Sequence, residues 1–300
     1  MAVASRSQAR GYGISKVSIT ECPRDAMQGM HRFIPTATKA AYIKLLLDVG
    51  FDRLDFGSFV SPKAIPQMRD TAEVLGLLDS TLASTTRATE LLAIVANVRG
   101  VEEAVRHAHV GMVGFPFSVS ETFQQRNANT SIARALDIVK QMANICHAHG
   151  RVPLVYLSMG FGNPYGDPWA PDIVADYTEK LVAVGIRNFA LADTVGSSTP
   201  GAISALYPYL SNAFPDIELG LHLHSTPEAG RDKLAAALDA GCTRFDTAIR
   251  GFGGCPMAAD ELTGNIATET LLELLDERGI KTGLDLDALA AAQRYSHEVF

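Results

Sequence analysis

The sequence predicts an α/β protein: a single closed (β/α)8 barrel followed by an extra C-terminal helix. Short apolar runs alternate with amphipathic, alanine-rich segments along nearly the whole chain, the pattern of parallel strands joined by helices. Eight such units fit within the 300 residues, which is an ordinary size for a TIM barrel. No GxGxxG fingerprint follows the first strand, which disfavours an open, doubly wound dinucleotide-binding sheet.

The eight predicted strands are short apolar segments, at 17–20, 53–56, 91–96, 110–115, 153–158, 188–192, 218–222 and 244–247. The intervening helices are predicted at 38–49, 64–78, 101–107, 131–149, 171–184, 200–213, 228–240 and 268–278. Several of them end near a glycine that can adopt the left-handed cap conformation. The extra helix is expected over 285–300, with Asp285 or Asp287 as its N-cap.

Composition narrows the class of protein. Hydrophobic residues make up 47% of the chain, enough for a well-filled core. The net charge of −7 argues against nucleic acid as the principal partner. No apolar run is long enough to cross a membrane, and no apolar secretory signal is found. Four scattered cysteines are typical of reduced thiols, so a cytoplasmic location is expected.

The chain is predicted to form one domain. Residues 1–14 are polar and are expected to be a flexible N-terminal tail, with a targeting remnant as the alternative. Residues 15–300 carry the barrel without a low-complexity linker or a shift in composition.

Polar residues follow the predicted strands at their carboxyl ends, where barrel enzymes gather their catalytic groups. These residues are Glu21, Arg24, Asp25, Asp55, Ser58, Asn97, Ser118, Ser120, Glu121, Ser158, Asp193, Thr194, His222 and His224. A glycine-rich loop, 250–256, follows the eighth strand. One rim of the barrel is therefore expected to hold the active site.

Two histidine pairs of the form HxH occur, and their positions distinguish them. His222 and His224 end the seventh strand and project to one face, so they can bind a divalent metal. His107 and His109 precede the fourth strand instead, which places them at the opposite end of the barrel. Only the first pair is expected to be functional.

Six segments resemble those of hydroxymethylglutaryl-CoA lyase, a metal-dependent barrel enzyme related to isopropylmalate synthase. They are PRDAMQ, DFGSFVSPKAIPQM, FALADTVGSSTPG, LHLHST, GFGGCP and TGNIATE, and they span essentially the whole chain in order and spacing. The resemblance implies a retro-Claisen cleavage of a 3-hydroxyacyl-CoA to a ketone and an acyl-CoA. It also implies a divalent metal, Mg²⁺ or Mn²⁺ before Zn²⁺ or Co²⁺, and a homodimer.

The resemblance also implies roles for residues of this chain. The metal would be held by Asp25, His222, His224 and Asn265. Arg24 would stabilise the enolate, and Asp55 and Asp193 would orient Arg24 and the histidines or move protons. His222 would act as acid or base, and Cys255 would protonate the enolate carbon. Residues that would contact the substrate or the CoA arm are Ser58, Ser61, Lys63, Ser120, Glu121 and Thr194.

The sequence departs from this family at several positions near the expected metal. Thr20 stands where the family has a glutamate, and strand alternation turns Glu21 the opposite way. Ala26 replaces a glycine and Ser225 an aspartate. Three functions therefore stay open: cleavage of hydroxymethylglutaryl-CoA, cleavage of citramalyl-CoA or a longer-branched 3-hydroxyglutaryl-CoA, and an inactive barrel that binds or regulates.

Overall fold

The computed structural model describes residue 14 and residues 16–84, 88–254 and 263–300. Apart from Ile14, the predicted tail 1–14 lies outside the described residues. The predicted proton donor Cys255 lies outside them too.

Eight parallel strands close into a barrel, because each strand pairs with the next and β8 pairs with β1. The predicted fold is thereby confirmed. In chain order the strands are β1 (Ser18–Glu21), β2 (Arg53–Ser58), β3 (Glu90–Ile94), β4 (Val110–Ser118), β5 (Val152–Ser158), β6 (Asn188–Asp193), β7 (Glu218–Ser225) and β8 (Arg244–Thr247). A short strand, β9 (Gly264–Asn265), pairs antiparallel with the end of β7.

Helices surround the barrel in the order expected from the sequence. They are α1 (Pro23–Gln28), α2 (Thr36–Val49), α3 (Thr71–Ser84), α4 (Val98–Ala104), α5 (Glu121–Ala128), α6 (Ile132–Ala148), α7 (Pro171–Ala183), α8 (Pro200–Ala213), α9 (Pro227–Asp239), α10 (Thr268–Glu277) and α11 (Leu286–Val299). The last is the expected extra helix, and Asp285 caps it by accepting a hydrogen bond from the Ala288 amide at 3.0 Å.

Among the described residues, two short α-helices and one short strand were not predicted: α1, α5 and β9. The third helix also begins at Thr71 rather than at residue 64, because a 3-10 turn over Pro66–Met68 occupies the start of the predicted segment. Each of these segments lies at the carboxyl rim. The residues of these segments do not show the regular hydrophobic periodicity from which helices and strands are predicted.

Side chains fill the barrel so completely that some strand positions tolerate no side chain. One apolar cluster inside the barrel comprises Leu92, Ile94, Met112, Leu154, Tyr156 and Ala190. At Gly114 a Cβ atom would lie 2.6 Å from Cδ1 of Ile94. Gly114 therefore leaves space for the side chains of Ile94, Leu92 and Tyr156 inside the barrel.

Glu21 faces away from the barrel interior, as strand alternation predicts. Its carboxylate accepts hydrogen bonds from the Ile249 amide at 2.7 Å and the Thr268 hydroxyl at 2.6 Å. These partners belong to the loop after β8 and to the start of α10. Glu21 therefore joins β1 to the two segments that flank β9.

Among the described residues, no helix has the length and apolar content needed to span a membrane.

Replacing Glu21 by glutamine is expected to flatten the pH dependence of stability. Burial raises the pKa of Glu21 from 4.5 to about 8, so the folded protein holds this proton more tightly than the unfolded chain. The stability that the protonated carboxyl contributes is complete below about pH 4.5 and is lost as pH rises towards 8. Each unit of pKa shift corresponds to roughly 1.4 kcal/mol.

The measurement is urea unfolding of wild type and Glu21→Gln at about pH 5 and about pH 9. The variant should gain stability relative to wild type at the higher pH. Glu273→Gln, an exposed change on α10, is the matched control. Equal differences at the two pH values would contradict the buried-carboxyl assignment.

Candidate active site

The first part of the site lies on α1, a helix of six residues that begins just after β1. Pro23 occupies its first turn, where a missing amide costs nothing. Arg24, Asp25 and Gln28 then lie on neighbouring positions of the helix. The Arg24 guanidinium donates to Asp25 Oδ1 and to Gln28 Oε1, both at 2.9 Å, and Gln28 Nε2 donates to Asp25 Oδ1 at 2.8 Å.

Arg24 is also held from β2 by Asp55. The Arg24 Nε lies 3.1 Å from both carboxylate oxygens of Asp55, and Nη2 donates to Oδ2 at 2.5 Å. Both residues are buried. Burial opposes the charge on Arg24, but Asp55 and Asp25 outweigh it and raise the pKa of the guanidinium, which therefore stays cationic.

The two aspartates on Arg24 have pKa values shifted in opposite directions. Burial would raise the pKa of Asp25, but Arg24, His222 and His224 overcome it and lower the pKa to about 2. Burial dominates at Asp55 and raises its pKa to about 6, against the opposing effect of Arg24. Asp25 is therefore the firmly ionised carboxylate, as a metal ligand must be.

His222 and His224 project from β7 into the same space as Asp25. Their Nε2 atoms lie 3.2 Å apart, and His224 Nε2 lies 3.9 Å from Asp25 Oδ2. Burial and then the neighbouring His222 lower the pKa of His224. A neutral imidazole has a lone pair available for a cation.

Each imidazole has a different group behind its second nitrogen. His224 Nδ1 lies 2.9 Å from the Thr194 carbonyl oxygen, which can only accept, so Nδ1 carries the proton and Nε2 faces the site. His222 Nδ1 lies 3.4 Å from Asp246 Oδ2. Burial would lower the pKa of His222, but this carboxylate outweighs it and raises the pKa.

Asn265, on β9, completes the group. Its Nδ2 donates to Asp25 Oδ2 at 2.8 Å and to the Phe252 carbonyl at 2.9 Å. Its Oδ1 is buried without a hydrogen-bond partner among the described residues. An orphaned amide oxygen beside a carboxylate and two imidazoles is the donor set expected of a divalent-cation site. The residues present therefore fit a metal.

Among the described residues, two groups have ligand atoms close enough to share an ion. One is Asp25, His222 and His224, and the other is Cys22, His222 and Asp246. Burial and the surrounding carboxylates raise the pKa of the Cys22 thiol, which disfavours the thiolate that a metal requires. The first group is the better candidate.

These side chains line one end of a cavity of 580 Å³. Tyr156 packs edge-on against His222 with ring centroids 5.5 Å apart, and its buried hydroxyl has no hydrogen-bond partner in the described part of the chain. The remaining lining residues include Gln28, Ser61, Ile94, Ala96, Asn97, Pro116, Phe123, Arg126, Ile138, Ser158, Thr194 and Gly254. The cavity therefore has a polar end at Asp25, His222 and His224 and an apolar wall from β3, β4 and α6.

The structure brings some predicted residues together and places others elsewhere. Arg24, Asp25, His222, His224, Ser61 and Thr194 line the cavity, with Asp55 and Asn265 bonded to them. Ser58 lines an adjoining cavity of 360 Å³, and Lys63 is exposed. Asp193 is buried against Lys233 and Ser198 and does not line the cavity.

The side chains of Ser120 and Glu121 accept hydrogen bonds from backbone amides at the carboxyl rim. The Ser120 hydroxyl accepts from the Phe123 amide at the N-cap of α5 and donates to Asp167 at 2.5 Å. Glu121 accepts from the Ile132 amide at 3.0 Å. Neither residue lines the 580 Å³ cavity.

Among the residues that sequence reasoning missed are Gln28, Tyr156 and Arg126, which line the cavity, and Asp246 and Lys233, which contact the two histidines. A signal existed for Gln28, since it follows Arg24 by four positions on one helix face. Tyr156 and Asp246 lie inside predicted strands, where polar residues at inward positions are unusual. Lys233 lay within a predicted amphipathic helix and gave no signal.

The second HxH pair lies at the amino end of β4, as predicted. The His107 ring stacks on Phe59 with centroids 5.0 Å apart, and His109 lies 3.6 Å from Asp79.

Fold and site together define a class: a (β/α)8-barrel enzyme whose carboxyl rim carries side chains that could hold a metal ion. Comparison with known proteins is more specific. The HMGL-like family model matches residues 16–295, and the chain belongs to that family of lyases. A hydroxymethylglutaryl-CoA lyase of Bacillus subtilis is 34% identical over 284 residues, covering 94% of this chain and 93% of the relative.

Two further relatives are similar over nearly the whole chain. An (R)-citramalyl-CoA lyase of Chloroflexus aurantiacus is 32% identical over 277 residues, covering 90% of this chain and 86% of the relative. The solved structure of an HMG-CoA lyase from Acinetobacter baumannii, in complex with coenzyme A and 3-methylmalate, matches with a TM-score of 0.84 and 30% identity. The match covers 95% of this chain and 91% of that one.

Changing His224 to alanine is expected to weaken Mn²⁺ binding by tenfold or more, on the order of what one lost ligand costs. His109→Ala is the matched control, because it removes a histidine from the other HxH pair. Titration of Mn²⁺ followed by electron paramagnetic resonance measures both. Unchanged affinity in His224→Ala, or an equal loss in His109→Ala, would contradict the site.

Proposed function

We propose that this lyase cleaves hydroxymethylglutaryl-CoA to acetyl-CoA and acetoacetate. The observation that carries the proposal is that Arg24, Asp25, His222 and His224 line one end of a single cavity. In this arrangement the buried Arg24 cation can face the thioester oxygen, and the proposed metal ligands can face the hydroxyl oxygen. These are the two oxygens whose charge changes during the cleavage.

The proposed metal ligands are Asp25, His222, His224 and Asn265, with Mg²⁺ or Mn²⁺ as the ion. The mixed oxygen and nitrogen donors, the low pKa of Asp25 and the unpartnered Asn265 Oδ1 support this assignment. A divalent ion held there would supply a Lewis acid for the oxygen that is the hydroxyl of the substrate and the ketone of the product.

Arg24 is proposed to bind the thioester oxygen. As the C2–C3 bond breaks, its electron pair moves into the thioester and negative charge develops on that oxygen. Asp55, Asp25 and Gln28 hold the guanidinium in one orientation through bonds of 2.5–3.1 Å. A positive charge fixed in advance stabilises the developing enolate without reorganisation.

Two groups are proposed to move the protons. His222, with Asp246 behind its Nδ1, is proposed either to hold the metal through Nε2 or, with that nitrogen free of metal, to accept the proton of the substrate's tertiary alcohol as the ketone forms. Cys255 would return a proton to C2 of the enolate, which completes acetyl-CoA. Support for Cys255 comes from its neighbour, because Gly254 lines the cavity.

The glycine-rich loop before Cys255 lies directly against the metal-ligating residues. At Gly253 a Cβ atom would lie 2.7 Å from the Ala26 Cα and 2.8 Å from Asn265 Nδ2, and φ is +89°. Glycine is therefore required for this approach.

The rest of the cavity is proposed to hold the pantetheine arm of CoA. The relative from Acinetobacter baumannii has coenzyme A in its structure. Ser61, Asn97, Arg126 and Thr194 line the cavity here and offer hydrogen-bond donors to an acyl-CoA. Lys63, exposed after β2, is proposed as a phosphate contact at its mouth.

A related acyl-CoA is the second candidate substrate. The citramalyl-CoA lyase of Chloroflexus aurantiacus is nearly as similar as the first relative. The cavity also has an apolar wall, formed by Ile94, Ala96, Pro116 and Ile138. Such a wall favours a substrate with a longer apolar branch at C3, as in a longer-branched 3-hydroxyglutaryl-CoA, over one with a second polar group there.

The deciding experiment supplies the purified protein with Mn²⁺ and, separately, hydroxymethylglutaryl-CoA, citramalyl-CoA and a longer-branched 3-hydroxyglutaryl-CoA. Release of the corresponding ketone acid is measured. We expect the highest kcat/KM with hydroxymethylglutaryl-CoA. A preference for either other thioester would reassign the substrate, and no turnover of any would favour an inactive barrel.

Replacing Cys255 by alanine is expected to lower kcat by about a hundredfold or more, the usual effect of losing a general acid. Mn²⁺ affinity should be unchanged. Cys146→Ala, a buried thiol on α6 that does not line the cavity, is the control. Full turnover by Cys255→Ala would exclude it as the proton donor.

A further inference from the structure

Lys233, on α9, is a buried cation that the proposed reaction does not use. Its ammonium group donates three hydrogen bonds, to Asp193 Oδ2 at 2.9 Å, the Gly196 carbonyl at 3.1 Å and the His224 carbonyl at 2.8 Å. An ammonium group has three protons, so its hydrogen-bonding capacity is used completely. Only 3% of the residue is exposed.

Stability alone is a poor explanation of such a group. Burying an ammonium and a carboxylate costs several kcal/mol for each ion, and apolar residues of similar size often do as well. Two of the three acceptors of Lys233 are backbone carbonyls at the rim. The two backbone segments that Lys233 holds in place, at Gly196 and at His224, therefore suggest its role.

The two carbonyls belong to segments that meet at a proposed metal ligand. Gly196 lies in the turn after β6, and His224 lies on β7. Within the same turn the Thr194 carbonyl accepts the Nδ1 proton of His224 at 2.9 Å. Lys233 thus fixes the backbone of His224 and, on either side of Thr194, the segment that orients the His224 ring.

A further contact keeps this turn next to the other metal-ligating residues. Gly196 has φ of +73°, and a Cβ atom there would lie 2.5 Å from Thr263 Cγ2. Thr263 precedes β9, which carries Asn265. A shift of the 194–196 turn would therefore disturb the acceptor of His224 and the support of β9 together.

We propose that Lys233 is a positioning residue for the metal site. It holds the Thr194 carbonyl where it selects the His224 tautomer with Nε2 unprotonated and directed at Asp25 and His222. The inference rests on the proposed function, because it takes His224 as a metal ligand. It adds that a helix behind the barrel determines the geometry of that ligand.

Two variants separate positioning from charge neutralisation. Lys233→Met keeps much of the side-chain length but leaves the Asp193 charge buried without its partner. Lys233→Met/Asp193→Asn removes both charges, so its melting temperature should recover towards that of wild type. Lys140→Met, an exposed change on α6, is the control for losing a lysine.

Mn²⁺ affinity, measured by electron paramagnetic resonance, should fall about 10–100-fold in both Lys233 variants, the range seen when an outer partner of a ligand is lost. Lys140→Met should bind as wild type does. Recovery of wild-type affinity in the double variant would overturn the proposal, since charge neutralisation would then be the whole role of Lys233. Should the single variant fail to fold, the double variant still decides.

Nitrogen-15 NMR of histidine-labelled protein without metal gives an independent readout. The wild type should show His224 with Nδ1 protonated, and the double variant should show a mixture of tautomers. An unchanged His224 spectrum would overturn the proposal. The wild-type titration separates the two failures: no Mn²⁺ binding by wild type overturns the metal site and this inference together, whereas equal binding by wild type and variants overturns only the role of Lys233.

Discussion

Arg24 keeps a positive charge almost entirely out of water, and the site is organised around the groups that allow this. Burying an isolated guanidinium would cost many kcal/mol, so Asp55 and Asp25 must stay within hydrogen-bond distance of it. Asp55 comes from β2, and Arg24 with Asp25 follows β1 on α1. The pairing of β1 with β2 in the closed barrel brings the three groups together.

One consequence is that two carboxylates on one guanidinium have different properties. Asp25 also faces two imidazoles and an amide, and its pKa falls to about 2. Asp55 is fully buried, its hydrogen-bond partner among the described residues is Arg24 alone, and its pKa rises to about 6. Divergent pKa values of neighbouring acids are typical of sites that divide tasks between them. Here one carboxylate is suited to a cation and the other to holding Arg24.

A second layer of contacts fixes the groups that face the cavity. The Thr194 carbonyl lies behind His224, Asp246 behind His222, and Gln28 beside Arg24 and Asp25. These partners lie directly after β6, on β8 and on α1. Because they belong to different elements, the precision of the rim depends on the packing of the whole barrel.

The sequence by itself determined the architecture and the rim. Strand–helix alternation is a local pattern, and in a parallel barrel the carboxyl end of every strand meets the same face, so chain order alone separated His222 and His224 from His107 and His109. Tertiary structure decided the partners. Asp246, Tyr156 and Lys233 acquire their contacts only when the barrel closes and α9 packs against it.

The same physics explains which expected contacts were redirected. A serine or glutamate after a strand looks alike in sequence whether it binds a ligand or caps a helix, and in Ser120 and Glu121 the unsatisfied amides of α5 and α6 are the partners observed. Asp193, at the end of β6, accepts a hydrogen bond from the Lys233 ammonium of α9 at 2.9 Å. The Ser120 and Glu121 contacts are local in the chain, whereas the Asp193 contact joins residues 40 positions apart, which no local pattern encodes.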